Sequence, residues 1–263
     1  IFASSTGTGD VTVNNSGVID PPAFGILMTG GANVTANTSA NVTGDTGIQV
    51  TSNGGSAFTA TVNVTKGAAV TGTNGHGIVA LGPVGANAKV DASAGGAITG
   101  TGAGNDGIRA LAQGNVTVLT GAGAITGGNA GTSWGIKAQS TPGGAGAGGV
   151  VAVTTGTGTV SGAQGILATT NGTDAGDTVT VTTNGDVTAT AGFGILAKGI
   201  NGLVKVDQVA GNVFATGKDG INASAAGGNG SVTVNLAGSV TGANGVVASA
   251  AGTGAVTVTG TAA

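Results

Sequence analysis

The sequence contains no cysteine, no glutamate and no tyrosine, and only 6% of its 263 residues are charged. The absence of cysteine excludes disulfide scaffolds and thiolate metal sites. Seven scattered basic residues form no positively charged segment, so we expect no nucleic-acid partner. No apolar run reaches the ~18 residues that a membrane-spanning helix needs. No basic and then apolar leader begins at Ile1, so we expect any signal peptide to be removed or to lie outside this sequence.

Glycine is abundant, at 57 residues, but it does not recur at every third position, which excludes collagen. Instead, the dipeptide Gly-Ile recurs every 22–30 residues and ends as Gly-Val. Such a period is typical of proteins built from stacked repeats. The dipeptide occurs at Gly25-Ile26, Gly47-Ile48, Gly77-Ile78, Gly107-Ile108, Gly135-Ile136, Gly165-Ile166, Gly194-Ile195, Gly220-Ile221 and Gly245-Val246.

Two further apolar columns accompany the Gly-Ile column. One is the central residue of a Gly-x-Val/Ile-Thr-Gly motif, and the other is an apolar-x-apolar step that opens each repeat. The first comprises Val18, Val42, Val70, Ile98, Ile125, Val160, Val187, Val213 and Val240. The second comprises Val11/Val13, Val34/Ala36, Val62/Val64, Val90/Ala92, Val116/Val118, Val151/Val153, Val179/Val181, Val204/Val206, Val232/Val234 and Val256/Val258.

Each repeat therefore holds three short segments with the period-two alternation of β-strands, separated by glycine and asparagine turns. Because one repeat cannot bury its apolar edge alone, the repeats must stack. The sequence thus predicts an all-β fold, a three-sided right-handed parallel β-helix of about nine coils and ~45 Å length. Residues 1–263 are interpreted as a single β-helical domain, and Thr141–Gly149 as a flexible surface excursion.

The whole chain resembles the passenger region of bacterial autotransporters and related filamentous surface adhesins. The resemblance rests on low charge, on the lack of cysteine and on repeats such as Gly-Ile-Leu-Ala-Lys at 194–198 and Gly-Ser-Val-Thr-Gly at 238–242. It implies a non-catalytic structural or adhesive rod, extracellular or on the bacterial cell surface, and anchored to the outer membrane through a region outside this chain. The expected partners are a host or bacterial surface or other copies of the rod. We expect the chain to be a fragment of a longer surface protein, since the family's translocation barrel is absent.

An enzyme acting on polysaccharide is one alternative, because right-handed β-helices include such enzymes. Its site would need carboxylates clustered with a basic partner on neighbouring coils. Asp106 and Asp219 share one column but lie four coils apart, ~19 Å by strand spacing. Arg109 has Asp106 three residues away, and His76 shows no partner and is interpreted as a solvated corner residue. We therefore expect no enzyme, no cofactor and no metal.

Two local motifs are weaker candidates for ligand binding. Asp174 and Asp177, with Asn171, could supply oxygen ligands to Ca²⁺, but the nonapeptide of calcium solenoids is missing and a turn is favoured. The segment Gly102–Gly107 resembles a phosphate-binding glycine loop, which so glycine-rich a chain produces by chance.

An ice- or matrix-binding solenoid is a further alternative, because ice binding needs a flat, regular threonine array. Asp91 and Asp207 interrupt the outward row that the sequence predicts for the opening strands. That row is Thr12, Thr35, Asn63, Asp91, Thr117, Ala152, Thr180, Asp207, Thr233 and Thr257.

A candidate interaction strip follows the Gly-Ile column. The residue after each isoleucine is expected to face outward, and the residue before each glycine carries three of the six aromatic side chains and the single histidine. An apolar and aromatic edge of this kind could bind a partner, another rod or a sugar face, or could pack against its own chain. The strip comprises Phe24, Leu27, His76, Val79, Trp134, Leu167, Phe193, Leu196 and Val247.

Overall fold

A computed structural model describes residues 1–143 and 148–260 of the chain. These residues form three parallel β-sheets and contain no helix. Sheet 1 carries the Gly-Ile column, sheet 2 the opening strands and sheet 3 the Val-Thr-Gly strands, and the chain visits them in that order in every coil. The predicted parallel β-solenoid of about nine coils is confirmed, while its right-handed sense stays a prediction.

The strands are short, with mostly five residues in sheets 1 and 2 and two or three residues in sheet 3. Sheet 1 consists of Phe2–Ser4, Ile26–Gly30, Ile48–Ser52, Ile78–Gly82, Ile108–Ala112, Trp134–Ser140, Gln164–Thr170, Ile195–Gly199, Ile221–Ala225 and Val246–Ala250. Sheet 2 consists of Val11–Asn15, Val34–Thr38, Thr59–Val64, Asn87–Ala92, Val116–Thr120, Val151–Thr154, Val179–Thr183, Val204–Gln208, Val232–Leu236 and Val256–Gly260. Sheet 3 consists of Val42–Gly44, Val70–Gly72, Ile98–Gly100, Ile125–Thr126, Val160–Gly162, Val187–Ala189, Val213–Ala215 and Val240–Thr241.

The isoleucines of the Gly-Ile column form the centre of the core. Ile108, for example, pairs with Ile78 on one side and Ile136 on the other, and all three are fully buried. Small residues occupy the next inward position, as in the pairing of Ala110 with Ala138. Because three strands surround a narrow interior, only one or two small apolar side chains per strand fit inside.

The glycines of this column are required by the close approach of successive coils. A Cβ atom added at Gly107 would lie 2.7 Å from the carbonyl oxygen of Gly135, and one added at Gly47 would lie 2.6 Å from that of Gly77. None of the glycines with positive φ belongs to the column, so space rather than an unusual backbone conformation selects glycine there.

The register of sheet 2 differs from the predicted one in two strands. Val34 pairs with Ala60, not Val62, and Val116 pairs with Ala88, not Val90. The predicted pairs Val62/Val64 and Val90/Ala92 are therefore displaced by two residues. A shift of two keeps every side chain on its face, so the alternation of the sequence could not reveal it.

The first member of the Val-Thr-Gly column is also different. Val18 is 77% exposed, and its neighbour Ile19 makes the bridge to Val42 instead. Pro21 and Pro22 follow after Asp20, and this first turn contains only a bridge where later coils have a sheet 3 strand. The prediction for Val18 was therefore wrong by one residue.

Asparagine side chains link coils along the outer surface of sheet 2. The side-chain amide of Asn37 donates a hydrogen bond to Asn14 over 2.8 Å, and that of Asn63 donates to Asn37 over 2.7 Å. Asn235 extends the same pattern by donating to Asp207 over 2.6 Å. Such ladders hold neighbouring coils in register from outside.

The longest corner joins sheet 1 to sheet 2 after Ser140. The predicted excursion Thr141–Gly149 falls here, and its residues 144–147 lie outside the described part of the chain. Val151 nevertheless pairs with Val116, so the columns continue across this corner. In the described ranges no helix has the length and apolar character needed to cross a membrane.

Candidate functional site

The candidate interaction strip occupies two rows, an outward row of sheet 1 that follows the isoleucines and a row that precedes the glycines, just before most sheet 1 strands begin. The row after the isoleucines is in register, as shown by Val79 pairing with Arg109 and Lys137 pairing with Leu167. The row before the glycines is joined by backbone hydrogen bonds, such as the one from Gly77 N to Asp106 O. The sequence therefore placed these residues in the correct columns.

The apolar members of the strip are not continuous. Arg109 and Lys137 lie between Val79 and Leu167, and Leu167 then pairs with Leu196. Phe24, Leu27 and Val247 lie in the terminal coils, far from this central group. The structure thus brings together only the central members.

Several strip residues offer a partner little surface. Trp134 and Val79 are 5% exposed and Leu196 is 8% exposed, whereas Phe24 is 37% exposed. The ring of Phe193 contacts the ammonium group of Lys218 at 4.7 Å from the ring centre. The accessible part of the central strip is therefore Leu167, Phe193 and part of His76, together with the charged side chains between Val79 and Leu167.

His76 has partners on the next coil, so its prediction as an unpartnered, solvated residue was wrong. Its Nδ1 accepts a hydrogen bond from the backbone N–H of Asp106 over 2.7 Å, and its Nε2 lies 3.3 Å from Nη1 of Arg109. The carboxylate of Asp106 is buried; its Oδ1 accepts the backbone N–H of Trp134 over 2.8 Å, and its Oδ2 lies 4.0 Å from Nη1 of Arg109.

The environment of this cluster shifts two pKa values in opposite directions. Burial, followed by the charges of Arg109 and Lys137, lowers the pKa of His76 from 6.5 to about 4. Burial raises the pKa of Asp106 from 3.8 to about 6, although the Trp134 hydrogen bond and the two nearby cations oppose this shift. At pH 7 the imidazole is therefore neutral and the carboxylate is mostly ionised.

The sequence contained a signal for this cluster that was not used. His76 and Asp106 both precede a Gly-Ile dipeptide, in consecutive repeats, so they occupy the same column one coil apart. Asp106 is 30 positions away from His76 in the chain but adjacent in space, so the contact crosses from one repeat to the next and is not visible within either.

Leucine side chains that the sequence analysis did not select extend the apolar surface of sheet 1. Leu81 and Leu111 pair in the outward row beside the strip. With Pro83, Gln113 and Thr141 they line a shallow depression of about 260 Å³. The predicted strip contained only the residues next to the Gly-Ile dipeptides. Leu81 and Leu111 lie further along their strands, after the inward Ala80 and Ala110, and were therefore missed.

The two weaker motifs have local structural roles. Asp177 is buried, and its Oδ2 accepts the backbone N–H of Asp174 over 2.9 Å, which closes a turn. The segment Gly102–Gly107 leads into the strand Ile108–Ala112.

Asp219 accepts hydrogen bonds from the side-chain amides of Asn222 and Asn244, and these bonds lower its pKa. Within residues 1–143 and 148–260 no group of three acidic, histidine or cysteine side chains is arranged to hold a metal.

The predicted threonine row needs correction at three positions. The register shift in sheet 2 accounts for Asn63 and Asp91, whereas the strand of Asp207 is in the predicted register and its outward residue beside Thr180 is Lys205. Lys89 and Lys205, not Asp91 and Asp207, occupy the row that contains Thr117. The observed row is Thr12, Thr35, Thr61, Lys89, Thr117, Ala152, Thr180, Lys205, Thr233 and Thr257. Cations therefore interrupt it where carboxylates were predicted, and ice binding stays a prediction.

Comparison with known proteins identifies no relative. No family model, no curated protein and no solved structure matches the chain.

Proposed function

We propose that this chain is a rigid, non-catalytic rod of a secreted or surface-displayed bacterial protein, and that the outer side of sheet 1 adheres to a surface. The partner is a host or bacterial surface, or another rod. The rod is extracellular, and a region outside this chain anchors it to the outer membrane. The β-solenoid fold supports a structural role, and the sequence resemblance to surface adhesins supports the location.

The stacking of coils accounts for the stiffness of the rod. Each coil pairs with its neighbours in three sheets at once, and a continuous column of isoleucine and valine fills the interior. Bending the axis would pull neighbouring coils apart, which breaks backbone hydrogen bonds and core contacts at the same time. Such a body holds a surface at a fixed distance from its anchor.

The observation that carries the proposed adhesion is the outer surface of sheet 1. Leu81, Leu111 and Leu167 are partly exposed there, and Arg109 and Lys137 lie between them. Apolar side chains that share one exposed surface indicate an interaction site more strongly than scattered ones do, and arginine is enriched at interfaces.

An adhesion assay on the purified rod tests this function. The variant combines Leu81→Asn, Leu111→Asn and Leu167→Asn, and the matched control on sheet 2 combines Thr117→Asn, Leu119→Asn and Thr182→Asn. We expect the sheet 1 variant to lose most of its adhesion or self-association at an unchanged melting temperature, and the control to keep both. Equal adhesion of the two variants contradicts the proposal.

A second candidate function is an enzyme that acts on polysaccharide. The cluster of His76, Asp106 and Arg109 favours it, because a buried carboxyl with a pKa of about 6 is suited to proton transfer near neutral pH. Release of new reducing ends from a polysaccharide, abolished by Asp106→Asn, would support this candidate. Adhesion without any cleavage would support the rod.

A further inference from the structure

The hydrogen bond between Asp106 and His76 fixes the position of the imidazole proton. Nδ1 accepts the backbone N–H of Asp106 over 2.7 Å, so it carries no hydrogen. Because the low pKa keeps the ring neutral at pH 7, its one N–H is on Nε2. His76 therefore presents a hydrogen-bond donor on the side that faces Arg109.

Arg109 presents a second donor to the same space. Its Nη1 lies 3.3 Å from Nε2 of His76, and a guanidinium group can only donate. The other tautomer would oppose Nδ1–H to the N–H of Asp106 at 2.7 Å, which is a closer conflict. A single oxygen atom placed within hydrogen-bond distance of both groups would accept from His76 Nε2–H and from the Arg109 guanidinium.

The charge around these donors favours an anion as that acceptor. Oδ2 of Asp106 lies 4.0 Å from Nη1 of Arg109, too far for a hydrogen bond, and its Oδ1 is occupied by Trp134 N–H. Lys137 pairs in register with Arg109, and within the described residues its ammonium group forms no ion pair. Two cations thus share one buried carboxylate, although the chain carries a net charge of −3.

We propose that the space between His76 Nε2 and the Arg109 guanidinium, bordered by Lys137, binds the acidic group of an anionic polysaccharide. A carboxylate or a sulfate would accept from both donors, and charge-assisted bonds to arginine are among the strongest in proteins. The choice of a polysaccharide as partner rests on the proposed adhesive function. The choice of an acidic group rests on the cluster of His76, Arg109 and Lys137.

The construction of sheet 1 favours a sugar chain over an acidic peptide. Extended peptides bind sheets by adding a strand to an exposed edge. The strand Ile108–Ala112 is paired on both sides, so the site offers only side chains. Sugar rings can pack on the partly exposed Leu111 and Leu167, while their acidic groups reach the cations one strand spacing apart, ~4.8 Å.

The experiment titrates the intact chain with three oligosaccharides of equal length, one carrying uronate carboxylates, one carrying sulfates and one neutral. Calorimetry measures affinity, and the ¹⁵N resonances of the only histidine report on Nε2 directly. The variants are Arg109→Gln and Lys137→Gln. Lys205→Gln is the control, because Lys205 is a sheet 2 cation that pairs with Asp207 at 2.7 Å.

We expect one or both acidic oligosaccharides to bind at least about tenfold more tightly than the neutral one and to shift the Nε2 resonance. Arg109→Gln should weaken binding by about tenfold or more, Lys137→Gln by several-fold, and Lys205→Gln should leave it unchanged. The two acidic arms decide between carboxylate and sulfate.

Equal binding of the neutral oligosaccharide, or equal effects of Arg109→Gln and Lys205→Gln, would overturn the inference, as would tighter binding of poly-aspartate than of either acidic oligosaccharide. Failure of the proposed function gives a different result. The acidic oligosaccharide then still binds and still shifts the His76 resonance, but the rod shows no adhesion to any surface.

Discussion

Thr155 and Thr183 occupy equivalent inward positions on adjacent coils of sheet 2, but only the hydroxyl of Thr155 has a hydrogen-bond partner. Thr154 pairs with Thr182, and the residue that follows each is almost completely buried. The hydroxyl of Thr155 accepts the backbone N–H of Asn184 over 3.2 Å. The hydroxyl of Thr183 has no partner among the described residues.

Replacing this unpaired hydroxyl should stabilise the rod. A buried polar group without a partner costs about 1–3 kcal/mol, and valine has nearly the same shape as threonine. We expect Thr183→Val to raise the free energy of unfolding by about 1 kcal/mol and Thr155→Val to lower it by a similar amount. Denaturant unfolding of the two variants measures both changes. A loss of stability in Thr183→Val would show that its hydroxyl is satisfied.

The glycine column should tolerate no side chain. In Gly107→Ala the new Cβ would lie 2.7 Å from a backbone oxygen of the next coil, so the coils must separate locally. We expect a loss of about 2 kcal/mol or more, as for other overpacked cores. Gly176 is the control, since a Cβ there meets nothing within 4 Å. Gly176→Ala should be neutral or slightly stabilising, and equal melting temperatures for the two variants would contradict the close approach of the coils.

The assignment of inward and outward side chains in sheet 3 can be tested by introducing aspartate at two neighbouring positions. Ile98 is fully buried and its neighbour Thr99 points outward. Ile98→Asp should abolish folding or cost more than about 4 kcal/mol, because it buries an unpaired charge. Thr99→Asp should change stability by less than about 1 kcal/mol. Circular dichroism melting curves separate the two outcomes, and similar losses would disprove the assignment of sides.

His76 and Asp106 should make opposite contributions to the pH dependence of stability. The lowered pKa of His76 gives a contribution that is present above pH 6.5 and is lost as the pH falls towards 4. The raised pKa of Asp106 gives one that is present below pH 3.8 and is lost as the pH rises through 6. The two contributions largely cancel between pH 4 and 6.5.

Single substitutions should reveal each contribution. Relative to the unmodified chain, His76→Gln should become more stable on acidification from pH 6.5 to 4, and Asp106→Asn less stable, each by about 2 kcal/mol because solvent screens both groups in part. Unfolding free energies measured at several pH values test this difference. Parallel pH profiles for the two variants would show that these groups titrate normally.

Removal of one whole coil should leave a shorter folded rod. Val179 and Val204 occupy the same register position, so deletion of residues 179–203 joins equivalent points of adjacent coils. Deletion of residues 179–212 instead places the sheet 3 position of Val213 where a sheet 2 strand should begin, so the coils on the two sides of the junction no longer pair in register. We expect the first deletion to keep the β-sheet circular dichroism and melting temperature of a rod shorter by one coil, and the second to lower both further. Loss in both would indicate a fold that closes only as a whole.

The fold could be predicted because the strongest signal in the sequence, the Gly-Ile repeat, marks the residues that contact one another between coils. Gly107 and Ile108 are fixed by contacts with the same residues of the neighbouring coils, so their repetition marks the register directly. The apolar-x-apolar steps carry less information. Val62 and Val64 both point inward, and only the pairing of Ala60 with Val34 decides between registers that differ by two residues.

The candidate site was harder to predict, because its chemistry depends on side-chain burial. The columns placed Trp134 correctly, but they could not show that it is covered and that its backbone N–H is bonded to Asp106. Nor could they show how close His76 comes to Arg109, which lies on the next coil and in the neighbouring row. Contacts between rows depend on how each long side chain bends, which a repeat pattern does not encode.

The corners of the solenoid vary in length while its strands stay aligned. Residues in equivalent positions are 23 apart in the first coil and 35 apart in the coil that contains the corner after Ser140. Extra residues at that corner therefore change neither the pairing of Val151 with Val116 nor that of Ala138 with Ala168. A foreign peptide inserted after Thr141 should therefore leave the strand pairing of the solenoid unchanged. Insertions at corners of this kind would make the rod a carrier for grafted epitopes or enzymes at a chosen position along its axis.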